Sequence, residues 1–246
     1  MEKSQSIESA LKAFDDKQHE FNIFLSGVHQ WFSSHPTLSQ AGFPTVHSVK
    51  SRLKDRNHLG EKLARKWDGG NPIDGGNIFE RITDLAGVRV LHLYQDQFPK
   101  IHAEIMSKVN VLADWHLPEA PKAYTWDPES RIFFENLGVE VQIKESFYTS
   151  VHYLIRPRAD SPICCEIQVR TLFEEIWGEV DHGLNYPIPS TILSCREQLR
   201  VLAKMVGAGS RLVDSIFRDA LNKQPDFQRG FFLFHQVVFR AVLARI

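Results

Sequence analysis

Basic residues concentrate in one short stretch of the sequence, KSRLKDRNHLGEKLARK, at positions 50–66. It holds only two acidic residues, Asp55 and Glu61, and seven basic ones: Lys50, Arg52, Lys54, Arg56, Lys62, Arg65 and Lys66. Arg52 and Lys54, two positions apart, share one face of an extended strand. Lys62, Arg65 and Lys66 share one side of a helix. Two such rows suit a triphosphate, which needs several cationic donors at once. A solvated surface and a stripe for an RNA backbone stay open as alternatives.

Two carboxylates stand in apolar surroundings. Asp84 precedes the run LAGVRVLHLY, and Glu166 lies within CCEIQVRT with Gln168 on the same face. A carboxylate among Ile, Val and Cys is costly to bury unless something pairs with it. Mg²⁺, held by one or two carboxylates together with substrate phosphates, would supply that partner. A structural ion pair with Arg89 or Arg170 would do the same, and both interpretations stay open.

A third stretch, KESFYTSVH, places Lys144, Tyr148 and His152 beside the start of a strand. An aromatic ring on a turn can stack on a nucleobase, and a histidine can bind phosphate or ribose. A tyrosine in this position is more often a core or hairpin residue, so this stretch decides nothing alone.

Apolar periodicity predicts the elements that must position these residues. A helical stripe runs from Ile7 to Phe32 and ends at Pro36, because the residue before proline avoids the helical region. A second helix is expected from about Leu59 to Trp67, with Asn57 as its N-cap. Further helices are expected over 98–109 and 171–186. A long helix, or a pair broken at the glycines 207 and 209, is expected over 192–221.

Strands are expected over 85–94, 139–143, 150–155 and 163–169, where branched and aromatic residues are frequent. The glycine-rich segment 68–77 is expected to be a flexible loop or lid, and 117–136 a long excursion without regular structure. Helices, then strands interleaved with helices, then helices again predict an α+β fold with a mixed β-sheet flanked by helices. We expect an N-terminal helical segment over 1–44, a central domain over 45–190 and a C-terminal helical extension over 191–246.

Composition narrows the class of protein. The chain has 246 residues, 24% of them charged and 43% hydrophobic, with a net charge of −1. Such a composition is typical of a globular domain and not of a disordered chain, and the charge argues against a broadly basic DNA-binding protein. The three cysteines show no CxxC spacing, so neither a disulfide framework nor a zinc site is indicated. Without an apolar leader or a membrane-spanning run, a cytoplasmic protein is expected.

Four stretches in this order resemble the synthetase domain of the RelA/SpoT family, and most of all its small alarmone synthetases. They are RLKDRNHLGEKLARK, RITDLAGVRV, KESFYTSVHY and EIQVRTLFEEIWGEVDHGLNY. The resemblance covers about residues 45–190, and its last stretch, with Trp177, His182 and Tyr186, is the most specific. It implies a nucleotidyltransferase-like fold and transfer of the β,γ-pyrophosphate of ATP to the 3′-hydroxyl of GDP or GTP.

The resemblance also implies a role for individual positions. Asp84 and Glu166 match the catalytic pair that coordinates Mg²⁺, with the identity of the general base left open. The residues that match ATP-binding positions are Arg52, Lys54, Lys62 and Arg65. Those that match positions around GDP or GTP are Lys144, Tyr148, which would stack on the guanine, His152, Gln168 and Glu175.

Several positions depart from the family pattern. Phe147 stands where the family has Gly before the stacking tyrosine, and Thr149 replaces a basic residue. Glu175 stands where relatives carry Asn, His58 where they carry Ser, and Pro187 where they carry Lys. These changes affect the expected acceptor more than the expected metal site. Two alternatives therefore stay open: a toxin-type relative that modifies the tRNA 3′ end or makes adenosine alarmones, and an inactive nucleotide- or RNA-binding module.

Three further expectations concern regions outside these motifs. No hydrolase domain is expected, because its His/His-Asp metal cluster needs more sequence upstream than this chain has. The Phe-rich segment 231–246 is expected to pack in the core or to mediate self-association rather than to dock another partner, since large exposed apolar patches are rare on monomers. A homo-oligomer is therefore expected. An antitoxin partner stays open.

Overall fold

A computed structural model describes residues 2–40, 43–185 and 190–223. The fold is α+β, with one mixed six-stranded sheet flanked by helices, as the sequence predicted. The strands are β1 Ser48–Leu53, β2 Ala86–His92, β3 Lys122–Thr125, β4 Glu140–Ile143, β5 Ser150–Ile155 and β6 Cys165–Thr171. The helices are α1 Lys3–Ser33, α2 Arg56–Asp68, α3 Ile78–Arg81, α4 Phe98–Asn110, α5 Pro128–Asn136, α6 Leu172–Asn185 and α7 Leu193–Lys223.

The strand order is β1-β2-β6-β5-β3-β4. The pairs β2–β6 and β3–β4 are parallel, and the other neighbours are antiparallel. Because side chains alternate along a strand, one face of the sheet collects apolar residues such as Val88, Ile167 and Tyr153, all fully buried. Helices α1 and α4 belong to the same core, through Phe14 and Ile101 among others. The opposite face is polar and carries the candidate site.

The N-cap of α2 is Asp55, and the prediction of Asn57 was wrong. The Asp55 carboxylate accepts hydrogen bonds from the backbone amides of Asn57 and His58, at 2.9 and 3.0 Å. Asn57 itself lies in the first turn of the helix. A carboxylate satisfies the exposed amides and also complements the positive end of the helix dipole.

The segment 117–136 contains β3 and α5, so the expected excursion without regular structure was wrong. Strand β3 has only four residues, too few for a clear alternation. Helix α5 has a proline in its first turn, and its N-cap Asp127 accepts a hydrogen bond from the Ser130 amide at 3.1 Å. The Asp-Pro pair was the available signal for this helix start.

Helix α7 continues through both glycines, so no break occurs there. Gly209 instead permits a close approach: a Cβ at this position would lie 2.7 Å from the Phe173 ring of α6. The two helices also share a hydrogen bond from the Trp177 indole to the Leu199 carbonyl, at 3.2 Å. The Phe-rich segment 231–246, like Tyr186 and Pro187, lies outside the described residues.

Among the residues that the structure describes, no helix combines the length and apolar character needed to span a bilayer.

Replacement of Asp55 by Ala should weaken α2, which carries the basic row. We expect the free energy of unfolding to fall, as it does when an N-cap is lost, and by more than in the control below, as measured by urea denaturation. The control is Asp160→Ala, which removes a carboxylate from an exposed ion pair with Arg158 and should change stability by less than about 0.5 kcal/mol. Equal changes in the unfolding free energy of the two variants would contradict the N-cap role of Asp55.

Candidate functional site: two adjoining cavities

Strand register sets two rows of polar residues across the sheet. In the first row Arg52 of β1 lies beside Gly87 of β2, and Gly87 lies beside Glu166 of β6. The second row runs parallel to it and comprises Lys50, Arg89, Gln168 and His152. Gly87 has no side chain, so the space between Arg52 and Glu166 stays open.

Asp84 lies just before β2 and is held by two lysines. Its carboxylate oxygens accept hydrogen bonds from Lys54 at 2.7 Å and from Lys62 at 2.8 Å. Burial alone would raise the pKa of Asp84, but the two ammonium groups lower it below its ordinary value. Asp84 is therefore ionised at neutral pH, and β1 and α2 meet at its carboxylate.

The larger of two cavities beside the sheet has a volume of about 630 Å³ and lies between the end of β1 and α2. All four predicted ATP-binding cations line it, together with Asp84; these cations are Arg52, Lys54, Lys62 and Arg65. The basic residues of the strand and of the helix thus converge on one space, as their spacing suggested.

The smaller cavity, of about 220 Å³, opens over β2 and β6. Its polar lining includes Arg52, Asp84, Arg89, Glu166 and Gln168. Arg52 and Asp84 line both cavities, so the two spaces adjoin at these side chains.

Glu166 also lines the smaller cavity, and 17% of its side chain is exposed. It accepts hydrogen bonds from Gln168 at 2.7 Å and from His152 Nδ1 at 2.8 Å. Burial by itself raises the pKa of Glu166, but the contacts with His152 and Gln168 bring it below its ordinary value. Asp84 and Glu166 are thus two ionised carboxylates on the wall of one cavity.

The loop 144–149, between β4 and β5, holds the remaining predicted acceptor residues. The Tyr148 hydroxyl lies 2.9 Å from His152 Nε2, and burial raises the pKa of Tyr148. Lys144 lies at the other end of the loop, with its ammonium 4.4 Å from the centre of the Tyr124 ring. Tyr148 therefore connects to the smaller cavity through His152 and Glu166. The Tyr124 ring that Lys144 contacts lies 4.7 Å from the His152 ring, between centres. Thr149 is buried and bonds to Thr125, at 3.0 Å between hydroxyls.

Glu175 lies in a buried ion-pair cluster. Its carboxylate accepts from Lys50 at 2.8 Å, from Arg89 at 3.3 Å and from Arg170. Burial by itself raises the pKa of Glu175, but the cations lower it to about 2. Both carboxylate oxygens are engaged, and a contact with the guanine stays a prediction.

The resemblance assigned no nucleotide-binding role to several residues that line the cavities, among them Lys66 and His182 in the larger one and Arg89 in the smaller one. Lys66 was part of the basic row. Arg89 alternates with Gly87 along β2, which was the available signal for a shared face. His182 comes from α6 and is distant in sequence, so no spacing rule linked it to α2. His58, one of the departures from the family pattern, also lines the larger cavity.

Residues 51–190 match the model of a region found in RelA and SpoT proteins. This segment is more than half of the chain, which therefore belongs to the RelA/SpoT family. No protein of curated function matches the sequence significantly.

Solved structures show the same fold. The chain is similar to small alarmone synthetase 1 from Bacillus subtilis, at 20% identity and a TM-score of 0.57 over 86% of this chain and 96% of that one. The same enzyme bound to its product pppGpp matches at 20% identity and 0.56, over 84% and 93%. Its complex with AMPCPP matches at 18% and 0.53, over 85% and 95%. Identities this low establish a shared fold.

The Glu175 cluster yields a prediction for stability. Glu175→Gln should lower the free energy of unfolding by about 3 kcal/mol at neutral pH, because the buried Arg170 loses its counter-charge. The pKa of Glu175 is lower in the folded protein than its ordinary 4.5. Its stabilising effect is therefore complete above pH 4.5 and disappears as the pH falls towards 2.

Urea denaturation of the wild type and the variant across this pH range measures the difference. The control is Glu179→Gln, since Glu179 pairs with the same Arg89 but is exposed, and should cost less than about 1 kcal/mol. A wild-type advantage over Glu175→Gln that stays constant down to the lowest pH would contradict the account.

Proposed function

We propose that this protein is a pyrophosphokinase that transfers the β,γ-pyrophosphate of ATP to the 3′-hydroxyl of GDP or GTP, forming guanosine tetra- or pentaphosphate and AMP. One observation carries the proposal: the two cavities adjoin at Arg52 and Asp84, and Glu166 lines the smaller of them. A two-nucleotide transfer needs such an arrangement, because donor and acceptor must meet in line. Family membership and the nucleotide complexes of the Bacillus subtilis enzyme support it.

The larger cavity is the proposed ATP site. Its volume and its row of cations suit a nucleoside triphosphate. Arg52 and Arg65 offer planar donors for phosphate oxygens, and Lys54 and Lys62 offer compact charges. In the described state both lysines are bonded to Asp84. Triphosphate binding would give them a second anionic partner beside it.

The donor set at the junction fits Mg²⁺. Asp84 and Glu166 are ionised, offer hard oxygen atoms and line the same cavity. Within the described ranges no cluster of three or more His, Cys, Asp or Glu side chains could hold a metal. Substrate phosphates and water would therefore supply the other ligands, the usual arrangement for Mg²⁺ in phosphoryl transfer. When bound, the ion would neutralise charge on the transferring phosphates.

The smaller cavity and the loop 144–149 form the proposed acceptor site. Tyr148 would stack on the guanine, with Lys144, Gln168 and Glu175 as further proposed contacts. His152 bonds both Tyr148 and Glu166, so it links base recognition to the reacting end of the acceptor. Hydrogen bonds thus join a proposed guanine contact, Tyr148, to a proposed metal ligand, Glu166.

In the proposed transfer, one bond to the β-phosphorus forms as another breaks. The acceptor 3′-oxygen forms a bond to the β-phosphorus of ATP, while the bond from that phosphorus to the α,β-bridging oxygen breaks. AMP leaves with that oxygen and its electron pair. Glu166 is the proposed base for the hydroxyl proton, because its oxygens accept from the Gln168 amide and from His152, whereas both oxygens of Asp84 accept from lysine ammonium groups. Electrostatic stabilisation and positioning supply most of the rate acceleration in reactions of this kind.

The test of the proposal offers the purified protein γ-³²P-labelled ATP and Mg²⁺, with GDP, GTP, excess ATP or bulk tRNA as the acceptor in separate reactions. We expect the label to appear on a guanine nucleotide, with release of AMP. Label on tRNA or on an adenine nucleotide would instead support the toxin-type alternative. No transfer to any acceptor from folded protein would contradict the proposal and favour a binding module.

Asp84→Asn and Glu166→Gln should each lower the transfer rate by at least about 100-fold, because each removes a fixed charge at the reacting phosphates. The measurement is label transfer at saturating nucleotide. The matched control is Glu61→Gln, which neutralises a carboxylate on the exposed part of α2 and should leave the rate unchanged. Full activity in either of the first two variants would exclude its carboxylate from the chemistry.

Two substitutions at Tyr148 separate stacking from hydrogen bonding. Tyr148→Ala should raise the KM for the guanine nucleotide by about tenfold or more, since stacking on a base is worth about 1–3 kcal/mol. Tyr148→Phe keeps the ring but loses the bond to His152, so it should lower kcat more than it raises KM. Steady-state kinetics with each nucleotide varied in turn measure both effects. An acceptor KM unaltered in Tyr148→Ala would contradict the stacking role.

A further inference from the structure

Phe147 adopts a backbone conformation that bulky residues rarely adopt. Its φ is +63°, in the left-handed region, where a side chain with a Cβ is strained. Strain of this kind persists only when surrounding contacts fix the residue. The contacts of Phe147 therefore identify what holds this loop in place.

The Phe147 ring packs against a small apolar cluster at the junction of α6 and α7. The buried members of this cluster are Trp177, Ala203 and Val206. The ring lies edge-on to Trp126, at 5.1 Å between ring centres, and the Arg200 guanidinium lies 5.8 Å from it. Two of the buried members and Arg200 belong to α7, so this helix supplies most of the anchor.

The next residue, Tyr148, packs against the same cluster but also has polar partners. Its hydroxyl bonds to His152 and its ring lies 5.9 Å from the Arg170 guanidinium. With the positive φ at Phe147, the Phe147 ring contacts Trp126 and Arg200, whereas the Tyr148 hydroxyl contacts His152 in the row of site residues. Both ends of the loop are tied to Thr125, through the Lys144 amide at 2.9 Å and the Thr149 hydroxyl at 3.0 Å. Between these ties, the Phe147 ring anchors the loop next to Tyr148, and α7 supplies most of its contacts.

We infer that Phe147 is a positioning residue that fixes the loop 144–149, and with it Tyr148, to α7. Acceptor recognition then depends on a helix that lies outside the family-matched segment 51–190. The link between α7 and acceptor binding rests on the proposed function, whereas the anchoring of the loop does not. The role of Phe147 is indirect, since Tyr148 is the residue proposed to contact the base.

The test combines backbone exchange with kinetics. Phe147→Ala and Phe147→Gly both remove the ring, and the glycine also removes the strain. In each we expect amide hydrogen exchange of residues 145–148 to become at least about tenfold faster and the acceptor KM to rise by about tenfold. The KM for ATP should stay unchanged, because the larger cavity does not include this loop.

An exposed α7 residue gives a second test that leaves the core intact. Arg200→Ala removes the cation beside the ring, together with an exposed ion pair to Glu197, and should produce the same two changes at about two- to threefold. The control is Arg196→Ala, one turn earlier on the same helix and also exposed, which should change neither. If Phe147 served only the stability of the fold, its substitution would raise both KM values together, or lower kcat, and loop exchange would not change.

Loop exchange in Phe147→Ala and Arg200→Ala identical to that of the wild type would overturn the inference, even in an active enzyme. Faster exchange of 145–148 in a protein that transfers no label would support the anchoring and refute the proposed function. Faster loop exchange with an unchanged acceptor KM in an active enzyme would overturn the link to acceptor recognition.

Discussion

The register between β1, β2 and β6 determines most of what this molecule can do. It places Arg52, Gly87 and Glu166 in one row, and the next row places Lys50 and Arg89 beside Gln168. Because side chains alternate along a strand, a slip of one residue would turn these groups into the apolar core. The core residues on the opposite face therefore fix the polar rows in place.

The surroundings of the acidic residues distinguish Glu175 from Asp84 and Glu166 at the cavities. Glu175 is surrounded by Lys50, Arg89 and Arg170 and joins β1, β2, β6 and α6. Asp84 and Glu166 instead line the smaller cavity. The contacts that keep them ionised come from two lysines at Asp84 and from His152 and Gln168 at Glu166. Taking a carboxylate out of water is costly even when its partners offset the charge, and this cost supports the proposed catalytic role of the pair.

The sequence predicted the mixed sheet, because its strands and amphipathic helices are long enough to show their periods. It also predicted the basic row of the larger cavity, since two- and four-residue spacings translate directly into shared faces. It missed β3 and α5, which are short, and His182, which reaches the cavity only through the path of α6. The family's Gly at position 147 was a signal for the positive φ that Phe147 adopts, whereas the packing partners of Phe147 on α7 are distant in sequence and had no such signal.

The most direct test of the account is a structure of the protein with AMPCPP, GDP and Mg²⁺ bound together. The account predicts the triphosphate in the larger cavity on Arg52 and Lys62, the guanine on Tyr148, and the acceptor 3′-hydroxyl between Asp84 and Glu166 in line with the β-phosphorus. A triphosphate bound elsewhere, or an acceptor hydroxyl remote from both carboxylates, would contradict it.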